Sequence, residues 1–100
     1  MIVINLPRLV SSRESARRLL AEAADTVKGD RVVVNCRELR SAAESFVDEL
    51  VKVILIEGDA AELVVLGASS QFLEQAHRAA KVHGVDGRIV ERPAGSEVEA

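Results

Sequence analysis

Short runs of consecutive aliphatic residues recur along the chain: IVINL at 2–6, RVVVNC at 31–36, ELVVLG at 62–67 and GRIVE at 87–91. Their apolar residues stand side by side instead of alternating with polar ones. That pattern predicts strands of a parallel sheet covered by helices. Between the runs the apolar period lengthens to that of a helix. The first helix is expected to open on Ser11 with Glu14 as a capping box, and to turn Ala16, Leu19, Leu20, Ala23, Ala24 and Val27 inward. Glu14, Arg18 and Glu22 line its outer side at i,i+4 spacing, and Gly29 in KGDR is its natural stop. The third helix is expected to open at Ser69 or Ser70, to pack Phe72, Leu73, Ala76, Ala79 and Ala80 inward, and to end at Gly84.

The segment between the second and third runs can be read two ways. LVKVILIEGDAAELVVLG has the Val and Ile content of a hairpin about EGDA. A helix over about 45–56 is the stronger reading, because Phe46, Leu50, Val53 and Ile54 fall on one face and two capping signals precede them: Ser41 with Glu44, and Ser45 with Asp48. The resulting order is β-α-β-α-β-α-β, an α/β domain with a four-stranded, mostly parallel sheet and right-handed crossovers. The expected domain covers residues 1–91, and RPAGSEVEA at 92–100 reads as a flexible acidic tail.

A chain of 100 residues makes one domain, burying roughly two thirds of its unfolded surface. Phe46 and Phe72 are the only aromatic residues, so the core is aliphatic and there is no stacking platform for bases or sugars. Thirteen Lys and Arg against sixteen Asp and Glu leave a net charge of −3, which argues against nucleic acid as a partner. The longest fully apolar run, 53–56, cannot span a bilayer, and Asn5, Pro7 and Arg8 interrupt the amino-terminal run, unlike a signal peptide. Cys36 is the single cysteine and sits in a strand with no base beside it. It reads as a buried thiol of a reducing compartment, so a cytoplasmic location is expected. His77 and His83 are six residues apart and share no helix face, so no metal site of helical spacing is formed. No phosphate-binding glycine loop or nucleophile elbow is present, and the chain is read as a non-enzyme with no cofactor and no metal.

Candidate chemistry gathers where strand ends meet helix starts: Asn35, Arg37, Arg40, Ser41, Glu44 and Ser45 after the second strand, and Gly67, Ser69 and Ser70 after the third. With Ser45 as the helix cap, a phosphate on its hydroxyl would meet free N–H groups, with Arg37 and Arg40 in reach. With Ser41 as the cap, Ser45 is an ordinary residue one turn inside, flanked by Asp48 and Glu49. Val47, Val51 and Leu55 form a second apolar stripe beyond what one sheet face needs, and mark either a buried helix or a partner surface.

VVVNCRELRSAAESFVDELVKVI, with the run Ser45-Phe46-Val47-Asp48-Glu49, resembles the STAS domains (sulfate transporter and anti-sigma factor antagonist), and more closely their short STAS-like relatives. ELVVLGASSQFLEQAHRAAKVHGV is similar to the next strand and helix of that family, so the resemblance spans about 30–85. It places Glu44 where the antagonists carry their switch serine, and it lacks their opening hairpin. It implies a bacterial regulatory module that binds a protein, such as a histidine-kinase-type ATPase or an anti-sigma factor, with no membrane contact. Ser45 would be the phosphoacceptor or cap, and Arg37, Arg40, Glu44, Asp48, Val47, Val51 and Leu55 would form the partner contacts. The residues also allow a small-ligand, anion-binding or catalytic domain at the same edge, or a homodimer or larger homo-oligomeric block joined through the second helix.

Overall fold

The structure, a computed structural model, describes residues 1–95, apart from the side chains of residues 22 and 24. The chain runs β1 (Ile2–Asn5), β2 (Leu9–Val10), α1 (Arg13–Ala24), β3 (Arg31–Asn35), β4 (Ser41–Ala42) and α2 (Glu44–Val51). A π-helix (Lys52–Glu57) continues α2, followed by β5 (Glu62–Leu66), α3 (Ser70–Val82), a 3₁₀ turn (Asp86–Arg88) and β6 (Ile89–Arg92). The expected α/β class and parallel sheet are present: β1, β3, β5 and β6 pair in that order, all parallel.

Every crossover steps to the next strand in the same direction, and right-handed crossovers that all step one way put their helices on one face. Ile2, Ile4, Val32, Val34, Leu63, Val65 and Ile89 face the helices in one core. Val33, Val64 and Leu66, joined by Val90, form a separate cluster on the other face. No helix covers that second face among the described residues.

α2 is the middle helix, packed against both α1 and α3. The Leu50–Ile56 segment is helical, so the hairpin alternative falls, and β5 takes β3 and β6 as its partners. In the π-segment the Gly58 amide reaches back to the Val53 carbonyl at 2.8 Å, five residues away. The wider turn rotates each residue less about the axis, so the consecutive Val53, Ile54 and Leu55 all stay buried. The segment ends on Gly58, where a Cβ would stand 2.5 Å from Cγ2 of Val27.

Three sequence expectations shift. α1 is capped by Ser12, one residue later than Ser11, and Ser15 replaces Glu14 as the reciprocal partner of the box. Leu19, expected in the core, is 40% exposed. β6 includes Arg92, the first residue of the expected tail, in register with Leu66. Beyond it, the Ala94 carbonyl accepts a 2.8 Å bond from Nε of Arg37. The rest of the predicted tail, 96–100, lies outside the described residues.

Candidate functional site

The approach to α2 explains why neither serine caps it. Residues 40–43 run as a short parallel strand beside 8–10: the Arg40 and Ser41 amides both donate to the Arg8 carbonyl, and the Ala43 amide to that of Val10. Ser41 is thereby held extended in β4. Ala43 becomes the first flanking residue, with φ −71° and ψ 144° and no side-chain hydrogen bond to the helix. Ser45 is the second residue of the first turn, and Glu44 before it offers a carboxylate to the positive end of the helix. The expected Ser45 cap is therefore corrected: its hydroxyl lies beside the helix start without closing it.

Of the residues predicted to gather at this edge, Arg40, Ser41 and Ser69 line one hollow and Glu44 and Ser45 another, while Asn35, Gly67 and Ser70 line neither. One, of about 130 Å³, is lined by Cys36, Leu39, Arg40, Ser41, Ala42, Ser69, Gln71, Phe72 and Gln75. Arg37 points elsewhere, to the chain beyond β6. Gly67 makes room for it: a Cβ there would stand 2.9 Å from Cγ of Arg37, and its φ of +68° suits only glycine without strain. The second hollow is a groove of about 400 Å³ between α2 and α3, lined by Arg13, Glu44, Ser45, Asp48, Gln75, Arg78, Ala79 and Val82. Because the strand order never reverses among the described residues, the sheet they form has no switch point at which successive crossovers part to opposite faces, the usual origin of a deep crevice in α/β folds.

Val47, Val51 and Leu55, expected as apolar partner contacts, are at most 1% exposed. α1 flanks α2 on one side and α3 on the other, and the π-segment turns the rest of the stripe inward. The face α2 leaves open carries Glu44, Ser45, Asp48 and Lys52.

Charge is organised on the α1–α2 seam. Glu49 is 4% exposed, the only buried charged residue among those described. Arg13 reaches one of its oxygens at 3.2 Å, and Arg17 the other at 2.5 Å. Arg13 also binds Asp48 at 2.6 Å, and Arg17 binds Glu57 through two bonds of 3.0 and 2.6 Å. The Arg13 guanidinium holds the Asp48 carboxyl below its ordinary range, helped by His83 at 3.3 Å. Glu49 was legible as a carboxylate inside the apolar stripe, three residues after Phe46 and four before Val53.

His77 bridges α3, the 3₁₀ turn and β6: Nδ1 lies 2.8 Å from Asp86 and Nε2 2.7 Å from Glu91. Only the imidazolium has a proton for both, and the Asp86 bond, followed by that to Glu91, raises the His77 pKa above its ordinary 6.5. A raised folded pKa contributes stability that is fully present below pH 6.5 and is lost as pH rises through the folded value. In urea titrations, wild type is expected to exceed His77→Gln in stability at acid pH, with the gap narrowing toward alkaline pH. A gap independent of pH would refute the bridge.

Burial pushes the Cys36 thiol up to about 12, so at neutral pH it is protonated and a poor nucleophile. Among the described residues no three His, Cys, Asp or Glu side chains are grouped to hold a metal, and no helix is long and apolar enough to cross a membrane. Compared with protein-family models, with curated proteins and with solved structures, the chain matches none.

Proposed function

We propose that this chain is a small non-enzymatic regulatory module of the STAS-like kind, binding a protein partner at the groove between the amino end of α2 and α3. The observation that carries the reading is the company Ser45 keeps. Its half-buried hydroxyl shares the groove with Arg13, Arg78, Glu44 and Asp48, beside helix amides that no side chain caps. A phosphate on Ser45 would meet the positive end of α2 and two guanidinium groups, and would compete with Glu44 for Arg78, now 3.6 Å apart. The groove's charges would thus be rearranged where a partner reads them. Glu44, Asp48 and the exposed Val82 supply the unmodified contacts, in place of the buried Val47, Val51 and Leu55. Arg37 and Arg40 lie outside this groove and take no part. By its family likeness, the partner would be a histidine-kinase-type ATPase or an anti-sigma factor in a bacterial cytoplasm.

The test is incubation of the protein with ATP and an extract of its source cells, followed by mass spectrometry of the peptide containing Ser45. Phosphate is expected on wild type and not on Ser45→Ala, and Asp48→Arg is expected to lose a protein captured by wild type. A chain left unmodified, with capture unchanged by Asp48→Arg, overturns the reading. If inorganic phosphate then raises the melting temperature and Arg40→Ala abolishes the rise, the chain is an anion-binding domain using the smaller hollow.

A further inference from the structure

The two edges of the sheet are unlike. β6 carries Glu91 and Arg92 and runs straight into Pro93, the kinds of residue that keep an edge from pairing with other chains. β1 differs within the strand: residues 2–6 contain neither a charged side chain nor proline, Pro7 and Arg8 come only after β1 has ended, and the Met1 ammonium is held by Asp30. Its hydrogen-bonding pattern is set by the Leu6 amide, which donates to the Asn35 carbonyl. In a parallel ladder alternate residues bond to the same neighbour, so Ile2, Ile4 and Leu6 face β3, while the N–H and C=O groups of Val3 and Asn5 point away from the sheet.

The same edge gathers exposed apolar side chains. Of the six large hydrophobic residues exposed among those described, Met1, Val3 and Leu19 lie on or beside it, and Leu9 shares a neighbouring hollow with Leu19. A groove of about 550 Å³ runs between β1 and α1, lined by Val3, Ile4, Asn5, Leu19, Ala23 and Thr26 among others. Leu19 is the α1 residue whose spacing predicts burial and whose side chain is instead 40% exposed over this groove.

We propose that the β1 edge pairs, antiparallel and about a two-fold axis at Ile4, with the β1 edge of a second copy of this chain. Val3 and Asn5 are equidistant from Ile4, so this axis sets Val3 opposite Asn5 of the second copy and Asn5 opposite its Val3. All the outward amides and carbonyls of both strands then find partners in one self-consistent register. Residues 2–6, which face one another across the axis, bring no like charges together. On the helix side, Leu19 of each copy overhangs the groove of the other, and on the open side the two Val3 residues become diagonal neighbours. The two sheets join into one. This surface lies at the opposite end of the sheet from β6 and is independent of the α2–α3 groove.

Light scattering after size exclusion, from micromolar to millimolar protein, is expected to show twice the monomer mass at the upper end. Val3→Pro removes only an outward amide, which an edge strand tolerates; it is expected to give a monomer with an unchanged circular dichroism spectrum. Ile56→Lys, at an exposed apolar residue elsewhere, is expected to stay dimeric. On wild type, amide exchange at Val3 and Asn5 is expected to slow about tenfold or more between dilute and concentrated samples, since an unpaired edge amide exchanges freely. A monomer at millimolar concentration overturns the proposal, as does a folded Val3→Pro dimer or exchange at these amides that ignores concentration. Should Val3→Pro fail to fold, the wild-type exchange decides.

Discussion

Replacing Val51 with aspartate is expected to abolish the cooperative fold. Val51 is 0% exposed, on the middle helix. Its methyl groups are enclosed in the aliphatic core, and Arg13 and Arg17 of α1 are committed to Asp48, Glu49 and Glu57. An ionised carboxylate placed there pays a desolvation cost of several kcal/mol, and the protonated form still leaves a polar group unsatisfied at about 1–3 kcal/mol, besides the lost packing. Against a total stability of about 5–15 kcal/mol for a domain, either cost consumes most of the margin. The outcome expected in circular dichroism is a broad, non-cooperative melt or none. Lys52→Asp, one residue on and partly exposed, is expected to change stability by only about 0.5 kcal/mol. The comparison separates the two readings of the stripe formed by Val47, Val51 and Leu55: a partner surface would accept Val51→Asp with its melting curve intact and lose only binding.

That stripe shows how far sequence pattern reaches in this fold and where it stops. Consecutive aliphatic residues locate all four main strands to within two residues, because parallel strands in this sheet bury neighbouring positions on opposite faces. The helix over 44–57 is legible too, since Phe46, Leu50, Val53 and Ile54 keep helical spacing and outweigh the β-propensity of Val and Ile. Pattern does not show how many neighbours a helix has. The same stripe serves a helix with a free flank and one enclosed on both sides, and only the one-way progression of the strands decides for the second.

The misplaced cap has a related cause. Ser41 satisfies the local rule for opening α2, but β2 and β4, only two residues each, claim its backbone through a pairing with residues more than thirty positions away. Strands so short have no period of their own. The candidate site suffers most from this, because Arg37 and Arg40, three residues apart in one loop, are sent in different directions by contacts that no local pattern encodes.

Glu49, which the sequence expectations named only as a flank of Ser45, supports a prediction of nearly equal size. Replacing Arg13 and Arg17 together by leucine is expected to cost about 3–5 kcal/mol, because it leaves a carboxylate that is 4% exposed without a counter-charge on either oxygen. For a domain of this length that corresponds to a fall in melting temperature of roughly 15–30 °C. Each single replacement is expected to cost far less, since Arg13 and Arg17 bind different oxygens of Glu49 and either one keeps the charge paired. Asp48 and Glu57 lose their arginines as well, but Asp48 keeps His83, both keep access to water, and exposed pairs contribute at most about 1 kcal/mol. Adding Glu49→Met to the double variant is expected to recover most of the loss, because an apolar side chain of similar length fills the seam without needing a partner. Chemical denaturation of the single, double and triple variants measures these differences directly. If the triple variant is no more stable than the double, the arginines hold α1 to α2 by their packing, and the buried charge of Glu49 is incidental to the seam.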